Sequence, residues 1–252
     1  MDTIDGHWLP VSCQQAVYSP THQTGVSHVM PSRLEKARLD PDSMKAKILA
    51  SARKLFGAYG YNSTTTRTIA GDVGIDISTL YYHWGDKQDL YEALITDVNE
   101  ELQQKFKEVE KTANRHSLAK RIEISIDMLT DYLFEHPEVS NLILNNSFNK
   151  SKPDSIADIK IADYTANIAI AMDLAQNRTN VSVQAKARIL AVWNCVLNFI
   201  SGENFFRPIL DVDRVEYLAV IKDTLKFIIV PAFTASPSSQ EITRPADLER
   251  SV

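Results

Sequence analysis

Residues 64–90 read TTTRTIAGDVGIDISTLYYHWGDKQDL, and the order of caps and glycines in this stretch decides the fold. Thr65 suits the N-cap of a short helix that carries Ile69, Ala70 and Val73 and stops at Gly74. Asp76 suits the cap of a second helix, which holds Leu80 and Tyr81 and breaks at Gly85-Asp86. Asp86 can then cap a further helix that opens at Lys87. Upstream, Asp42 or Ser43 can start a helix in which Ile48, Leu49, Ala52, Leu55, Phe56 and Tyr59 recur at three- and four-residue spacing. Gly57 weakens the end of that helix, and Gly60 is a natural stop. Three short helices joined by glycine-bearing turns within about 45 residues make a helix-turn-helix layout.

This layout has a chemical reading. Ile69, Ala70, Val73, Ile75 and Leu80 supply a small apolar core, which leaves Ile77, Ser78, Thr79, Tyr82 and His83 to face outward. A short exposed helix fits the major groove of DNA. Hydroxyls and imidazole reach phosphates or base edges there, and an apolar side chain meets a thymine methyl. A helix-turn-helix used only for packing is the plain alternative.

The segment from residue 46 to 94 resembles the DNA-binding domain of the tetracycline-repressor (TetR) family. The resemblance rests on Gly60-Tyr61, Thr64-Thr65-Thr66-Arg67, Ile69-Ala70, Gly74-Ile75, Thr79-Leu80-Tyr81-Tyr82-His83-Trp84, and Lys87 with Leu90. It implies that Thr66 contacts a phosphate and that Arg67 is placed to read a base. It also implies that Ile77, Ser78 and Thr79 open the recognition helix, with Tyr81, Tyr82 and His83 touching phosphates and sugars. Lys87 would meet a phosphate at a helix N-terminus. Three positions depart from the family pattern: Asp76 adds a negative charge near DNA, Gly85 replaces a common proline, and Ile77 is unusually apolar.

The charge distribution agrees in part. The whole chain carries 27 basic and 32 acidic residues, a net −5, which excludes a uniformly basic nucleic-acid binder. Residues 31–70 hold Arg33, Lys36, Arg38, Lys45, Lys47, Arg53, Lys54 and Arg67 against Glu35, Asp40 and Asp42, or 8 − 3 = +5. The remainder therefore carries −10, and the basic footprint falls on the proposed DNA-binding part. A solvated helix face would give the same count.

Outside this segment the chain reads as longer helices, so the predicted fold is all-α: an N-terminal helix-turn-helix domain and a C-terminal helical domain. Residues 1–41, with four prolines, read as a poorly ordered extension. Residues 42–90 form the helix-turn-helix domain, 91–233 the effector-binding and dimerisation domain, and 234–252 a flexible tail. The stretch 185–206 is apolar nearly all round, which requires burial on several sides. Within it Asn194, Asn198 and Ser201 form one narrow polar stripe, facing either a cavity or a satisfied seam at a subunit interface. Met128, Tyr132, Phe148, Tyr164, Met172 and Trp193 are candidate pocket walls, or plain core. All of these but Met172, with Asn194 and Asn198, form the expected effector site. Leu218, Ile221, Leu225 and Ile228 recur at three- and four-residue spacing and read as the dimer seam of the last helix.

Other function classes lack support in the sequence. There is no GxGxxG, P-loop, G-x-S-x-G or H-E-x-x-H pattern, and the six histidines never fall at i, i+4. Cys13 and Cys195 have no partner at metal-ligand spacing and read as free thiols of a reducing cytosol. No apolar run approaches the ~18 residues of a membrane span. The expectation is therefore a cytoplasmic, non-enzymatic regulator without cofactor or metal. It would bind an operator in double-stranded DNA as a homodimer, act most simply as a repressor, and be released by a small, mainly apolar or aromatic effector. The alternative is a helical small-molecule carrier or adaptor that has lost DNA binding.

Overall fold

The caps expected at Ser43, Thr65 and Asp86 form, and the side-chain cap expected at Asp76 does not. Ser43 Oγ accepts from the Ala46 N–H at 3.2 Å and starts α2 (Met44–Ser63). Thr65 Oγ1 accepts from the Thr68 N–H at 3.1 Å and starts α3 (Thr66–Val73). Asp86 and Asp89 form a reciprocal capping box at the head of α5 (Lys87–Ala113), with N–H to carboxylate distances of 2.9 and 3.2 Å. Between them lies α4 (Ile77–Trp84), entered at Asp76 without a side-chain cap. Gly74 ends α3 in the left-handed region, at φ 77°, where a Cβ would be strained.

The computed structural model describes residues 32–148 and 156–234, and all regular elements among them are helical. The chain opens with α1 (Arg33–Leu39) ahead of α2 and continues after α5 with α6 (Leu118–Glu135), α7 (Pro137–Phe148) and α8 (Ile156–Ala171). A 3₁₀ turn (Arg178–Asn180) leads to α9 (Val183–Ser201), α10 (Glu203–Leu210) and α11 (Arg214–Thr234). Among the described residues no single helix is long and apolar enough to cross a membrane.

One continuous core joins the two halves. Ile48, Ala52 and Phe56 of α2, Ile69 of α3, and Leu80 and Trp84 of α4 bury against Leu90 and Leu94 of α5. The same cluster runs on through Leu133, Leu142, Ile200, Tyr217, Ile221 and Leu225. Each such side chain contributes roughly 1.5–3 kcal/mol by leaving water, so this apolar continuity holds the halves together. α6 and α11 pack along their lengths, with Lys226–Asp127 (2.6 Å) and Lys222–Asp131 ion pairs at their margin. These partly exposed pairs add little beyond the packing. A smaller cluster of Ala166, Ala169, Val181, Ala185 and Ile189 seats α8 on α9.

Three expectations need correction. Residues 33–39, placed in a poorly ordered extension, form α1, because Ser32 and Glu35 build a capping box and Leu34 and Ala37 bury against the core. Residues 1–31 and the tail beyond 234 lie outside the described residues. Gly60 interrupts α2 at φ 75°, but one further turn follows to Ser63, because the Thr64 hydroxyl donates to the Gly60 and Leu55 carbonyls. The domain boundary expected at residue 90 falls inside α5, which crosses it without a break.

Candidate nucleic-acid interface and core cavity

α4 stands on α3 through Leu80 and Ile69, both without solvent exposure, and Trp84 plugs its far end. That packing fixes which side chains remain outside. Arg67, Ser78, Tyr81 and Tyr82 are exposed, Tyr82 at 80%. Thr66, Thr79, His83 and Lys87 are half-buried around them. Ile77, expected to face outward, is instead half-buried against the core cluster, since the first turn of α4 lies close to its neighbours. This also accounts for an apolar residue at that position.

The electrostatics are local. Lys45 Nζ lies 3.1 Å from His83 Nδ1, and burial together with this ammonium holds the imidazole below its ordinary value. Lys87 Nζ sits over the Tyr61 ring, 4.1 Å from its centre, and partial burial lowers the ammonium. The Tyr61 hydroxyl donates to Gln88 Oε1 at 2.9 Å.

The basic footprint is smaller than the sequence count suggests. Arg53 pairs with Glu101 and Glu138, Arg38 with Asp97 and Glu100, Lys54 with Asp72, and Arg33 lies near Asp89. Charges spent on intramolecular carboxylates contribute little field toward a duplex. Asp72 itself is held below the usual carboxylate range by hydrogen bonds from Lys54 and Ser51. Gly85, which replaces a proline of the family pattern, has φ 84°, which a proline ring cannot adopt.

A cavity of about 90 Å³ lies in the helical half. Its walls come from α5 (Phe106, Val109), α6 (Ile122, Ile126, Leu129), α8 (Ile168) with Met172 just after it, α9 (Ile189, Trp193, Val196) and α11 (Ile229). Among the described residues no charged side chain lines it. Its two hydroxyls, Ser125 and Thr130, already donate to the Arg121 and Ile126 carbonyls of their own helix.

Of the expected effector residues, Trp193 lines this cavity, edge-on to Phe106 at 5.6 Å, and the candidate wall residue Met172 lines it too. Tyr164 packs on Phe106 and donates to the Asn99 carbonyl at 3.2 Å, beside the cavity and not in its wall. Tyr132 is buried next to Glu101 at the other end of α6, where burial and that carboxylate push its phenol up. Met128 is half-buried outside the lining. Phe148 closes α7, and its side chain lies outside the described part.

Asn194 and Asn198 do not reach the cavity. Both are exposed, and their amides donate to the Leu190 and Asn194 carbonyls one turn back. Their stripe lies on the outer face of α9, because Ile189, Val196 and Ile200 take the inner one. The dimer seam changes similarly. Ile221 and Leu225 are almost wholly buried inside the chain and Leu218 is half-buried on the core, while Ile228 is 53% exposed. Within the chain, the regular spacing places Ile221 and Leu225 in the core where α11 packs on α6.

The walls on α5 escaped the sequence reading because they sit in a strongly charged run. Their signal was present: Leu102, Phe106, Val109 and Ala113 recur at spacings of four, three and four.

Residues 48–94 match the family model for bacterial regulatory proteins, tetR family. Over 177 residues the chain is 23% identical to the HTH-type transcriptional activator FasR of Mycolicibacterium smegmatis, covering 70% of this chain and 78% of that protein. Over 49 residues it is 45% identical to IcaR of Staphylococcus aureus, the HTH-type negative transcriptional regulator of the biofilm operon icaADBC. That match covers 19% of this chain and only 26% of IcaR. Among solved structures, a tetR family transcription regulator from Shewanella sp. PV-4 superimposes with a TM-score of 0.50 at 18% identity, over 72% of this chain and 95% of that one. The matched segment and the helix-turn-helix it folds into show that residues 48–94 are a segment of the tetR-family type, and the all-helical body behind it shares the fold of the Shewanella structure.

Proposed function

We propose that the protein is a DNA-binding transcriptional regulator that engages a two-fold symmetric operator as a homodimer and releases it when a small apolar molecule enters the core. The observation that carries the reading is the surface of α4. Its apolar side is buried on α2 and α3, and Ser78, Tyr81 and Tyr82 stand free beside Arg67. Thr66, Thr79, His83 and Lys87 complete the proposed contact surface. Ile77 supports it from its edge.

The apolar surface left on the last three helices supports a dimer. Leu190 of α9, Phe205 and Ile209 of α10, and Val220, Phe227 and Ile228 of α11 are exposed, Phe227 at 81%. Large apolar side chains grouped in this way need a partner surface. Asn194 and Asn198 lie on the same outer face of α9 and would form a polar seam within the interface. A dimer sets its recognition helices about 34–36 Å apart, one turn of duplex.

The cavity supports an apolar effector, since a buried charge would find no counter-charge among the described residues of its walls. At about 90 Å³ it is smaller than ordinary ligand clefts of ~300–1,000 Å³. A ligand of ordinary size enters only by spreading its helices. That difference in affinity between two geometries is what shifts a population. α5 runs from the helix-turn-helix to the cavity wall and would carry the change.

Selection of duplexes from a random pool by the full chain tests the reading. The expected product is a palindrome bound by two chains per duplex, with affinity that falls steeply as salt rises. Failure to enrich any sequence would leave a helical small-molecule binder as the better account.

A further inference from the structure

The helix α1 precedes the segment that matches the family, yet it holds the recognition helix directly. Arg33 Nη1 donates to the Trp84 carbonyl at 2.6 Å and lies 3.9 Å from Asp89 Oδ2. Trp84 is the last residue of α4, so its carbonyl has no partner within the helix. A guanidinium there also complements the negative end of the helix dipole. The Trp84 ring is 1% exposed, and its indole N–H donates to the Lys45 carbonyl of α2 at 3.1 Å. The end of α4 is thus fixed by its side chain to α2 and by its backbone to α1. Gly85 makes room for this: a Cβ there would lie 2.9 Å from Arg33 Nη1 and 2.1 Å from Asp89 Oδ2.

The other end of α1 is fixed to α5. Arg38 donates from Nε and Nη2 to Asp97 Oδ1 at 2.8 and 2.7 Å, and from Nη1 to Glu100 Oε2 at 2.5 Å. Such a fork is directional as well as attractive. Leu34 and Ala37, both buried, seat the middle of the helix. Seven residues are too few to hold a helix alone, so α1 exists because of these contacts.

We propose that α1 is a brace that sets the recognition helix α4 against the head of α5, with Arg33 and Arg38 as positioning residues and not DNA contacts. Both guanidinium groups already face carboxylates, which offset part of the charge that each would present to a phosphate. The proposal rests on the DNA-binding reading above for its functional consequence, though not for its structural one.

The test compares R33A, R33K and R38A with the wild-type chain, using the duplex that the wild type selects. Operator affinity should fall about three- to tenfold in R33A and R38A, the loss of a charge-assisted hydrogen bond half in solvent. The slope of log affinity against log salt should stay the same, because no phosphate contact is removed. Amide exchange at residues 81–85 should quicken in R33A, and in R38A also at 33–39. R33K should recover part of both effects.

A slope reduced by about 1 with unchanged exchange would make Arg33 a phosphate contact and overturn the brace. So would unchanged affinity and exchange, or an affinity loss explained wholly by a smaller folded fraction at an unchanged Kd. If the wild type selects no duplex, the DNA-binding reading falls. Exchange then decides the brace alone, and unchanged rates at 81–85 overturn it.

Discussion

Arg53 and Glu138 meet across 85 residues of sequence, with Nε donating to Oε1 at 2.9 Å. The pair joins α2 of the helix-turn-helix to α7 of the helical body. It forms where Gly57 lets the two helices touch: a Cβ at Gly57 would lie 2.7 Å from Glu138 Cβ. Glu101 of α5 takes the other side of the guanidinium at 2.6 Å. Three helices therefore converge on one cation whose side chain is 20% exposed.

Arg53→Ala leaves two partly buried carboxylates without their counter-charge. We expect a stability loss of about 2–3 kcal/mol, below the ~3–5 kcal/mol of a fully buried pair. Denaturant unfolding of the variant checks this, and a change under 1 kcal/mol would show the node to be incidental.

The same node predicts a pH dependence. Burial pushes the Glu101 carboxyl up, but the hydrogen bond and charge of Arg53 and the nearby Tyr132 hydroxyl outweigh it and hold the group below its ordinary value. A carboxyl whose pKa is depressed by folding stabilises the native state above its unfolded value, and that contribution is lost as pH falls through the folded one. Stability should thus decline below pH 4.5, and less steeply in Glu101→Gln. Equal slopes for both proteins in unfolding between pH 5 and pH 3 would exclude the linkage.

Arg67→Ala and Tyr82→Ala remove exposed side chains of the proposed DNA surface. Each should weaken operator binding by about 1–3 kcal/mol and leave the thermal midpoint within a degree or two. Ile77→Ala should do the reverse in part, losing stability through its contact with the core. Titrations at fixed salt, paired with melting curves, separate the two classes.

The pair Phe227→Glu with Ile228→Glu should yield folded monomers in sedimentation, because both side chains are exposed in the single chain. Ile221→Glu with Leu225→Glu should instead unfold the protein, since those positions are 2% and 1% exposed. Dimers that survive the first pair would place the interface elsewhere.

Leu129→Ala enlarges the apolar cavity and should cost about 2–4 kcal/mol. A larger dry cavity of this kind takes up a small aromatic such as benzene. Benzene should therefore raise the midpoint of this variant more than that of the wild type. An equal shift would argue that the cavity is closed to ligands.

Local rules made the helix-turn-helix legible. Thr65 and Asp86 cap because a short polar side chain reaches the next turn, and Gly74 and Gly85 end helices because only glycine takes those backbone angles freely. These are interactions over three or four residues, so the sequence alone determined the four helices between 42 and 90, the exposure of Ser78 and Tyr82 on α4, and the all-α class, while Ile77, Thr79 and His83 are half-buried. What lies across a helix is not local. Leu218, Ile221, Leu225 and Ile228 announce an apolar stripe, but a stripe satisfies its burial equally well against α6 or against a second chain. Only the tertiary structure shows that α6 takes Ile221 and Leu225. It also turned Asn194 and Asn198 outward, assembled the cavity from five helices, and ordered α1 through arginines whose carboxylate partners lie more than fifty residues away.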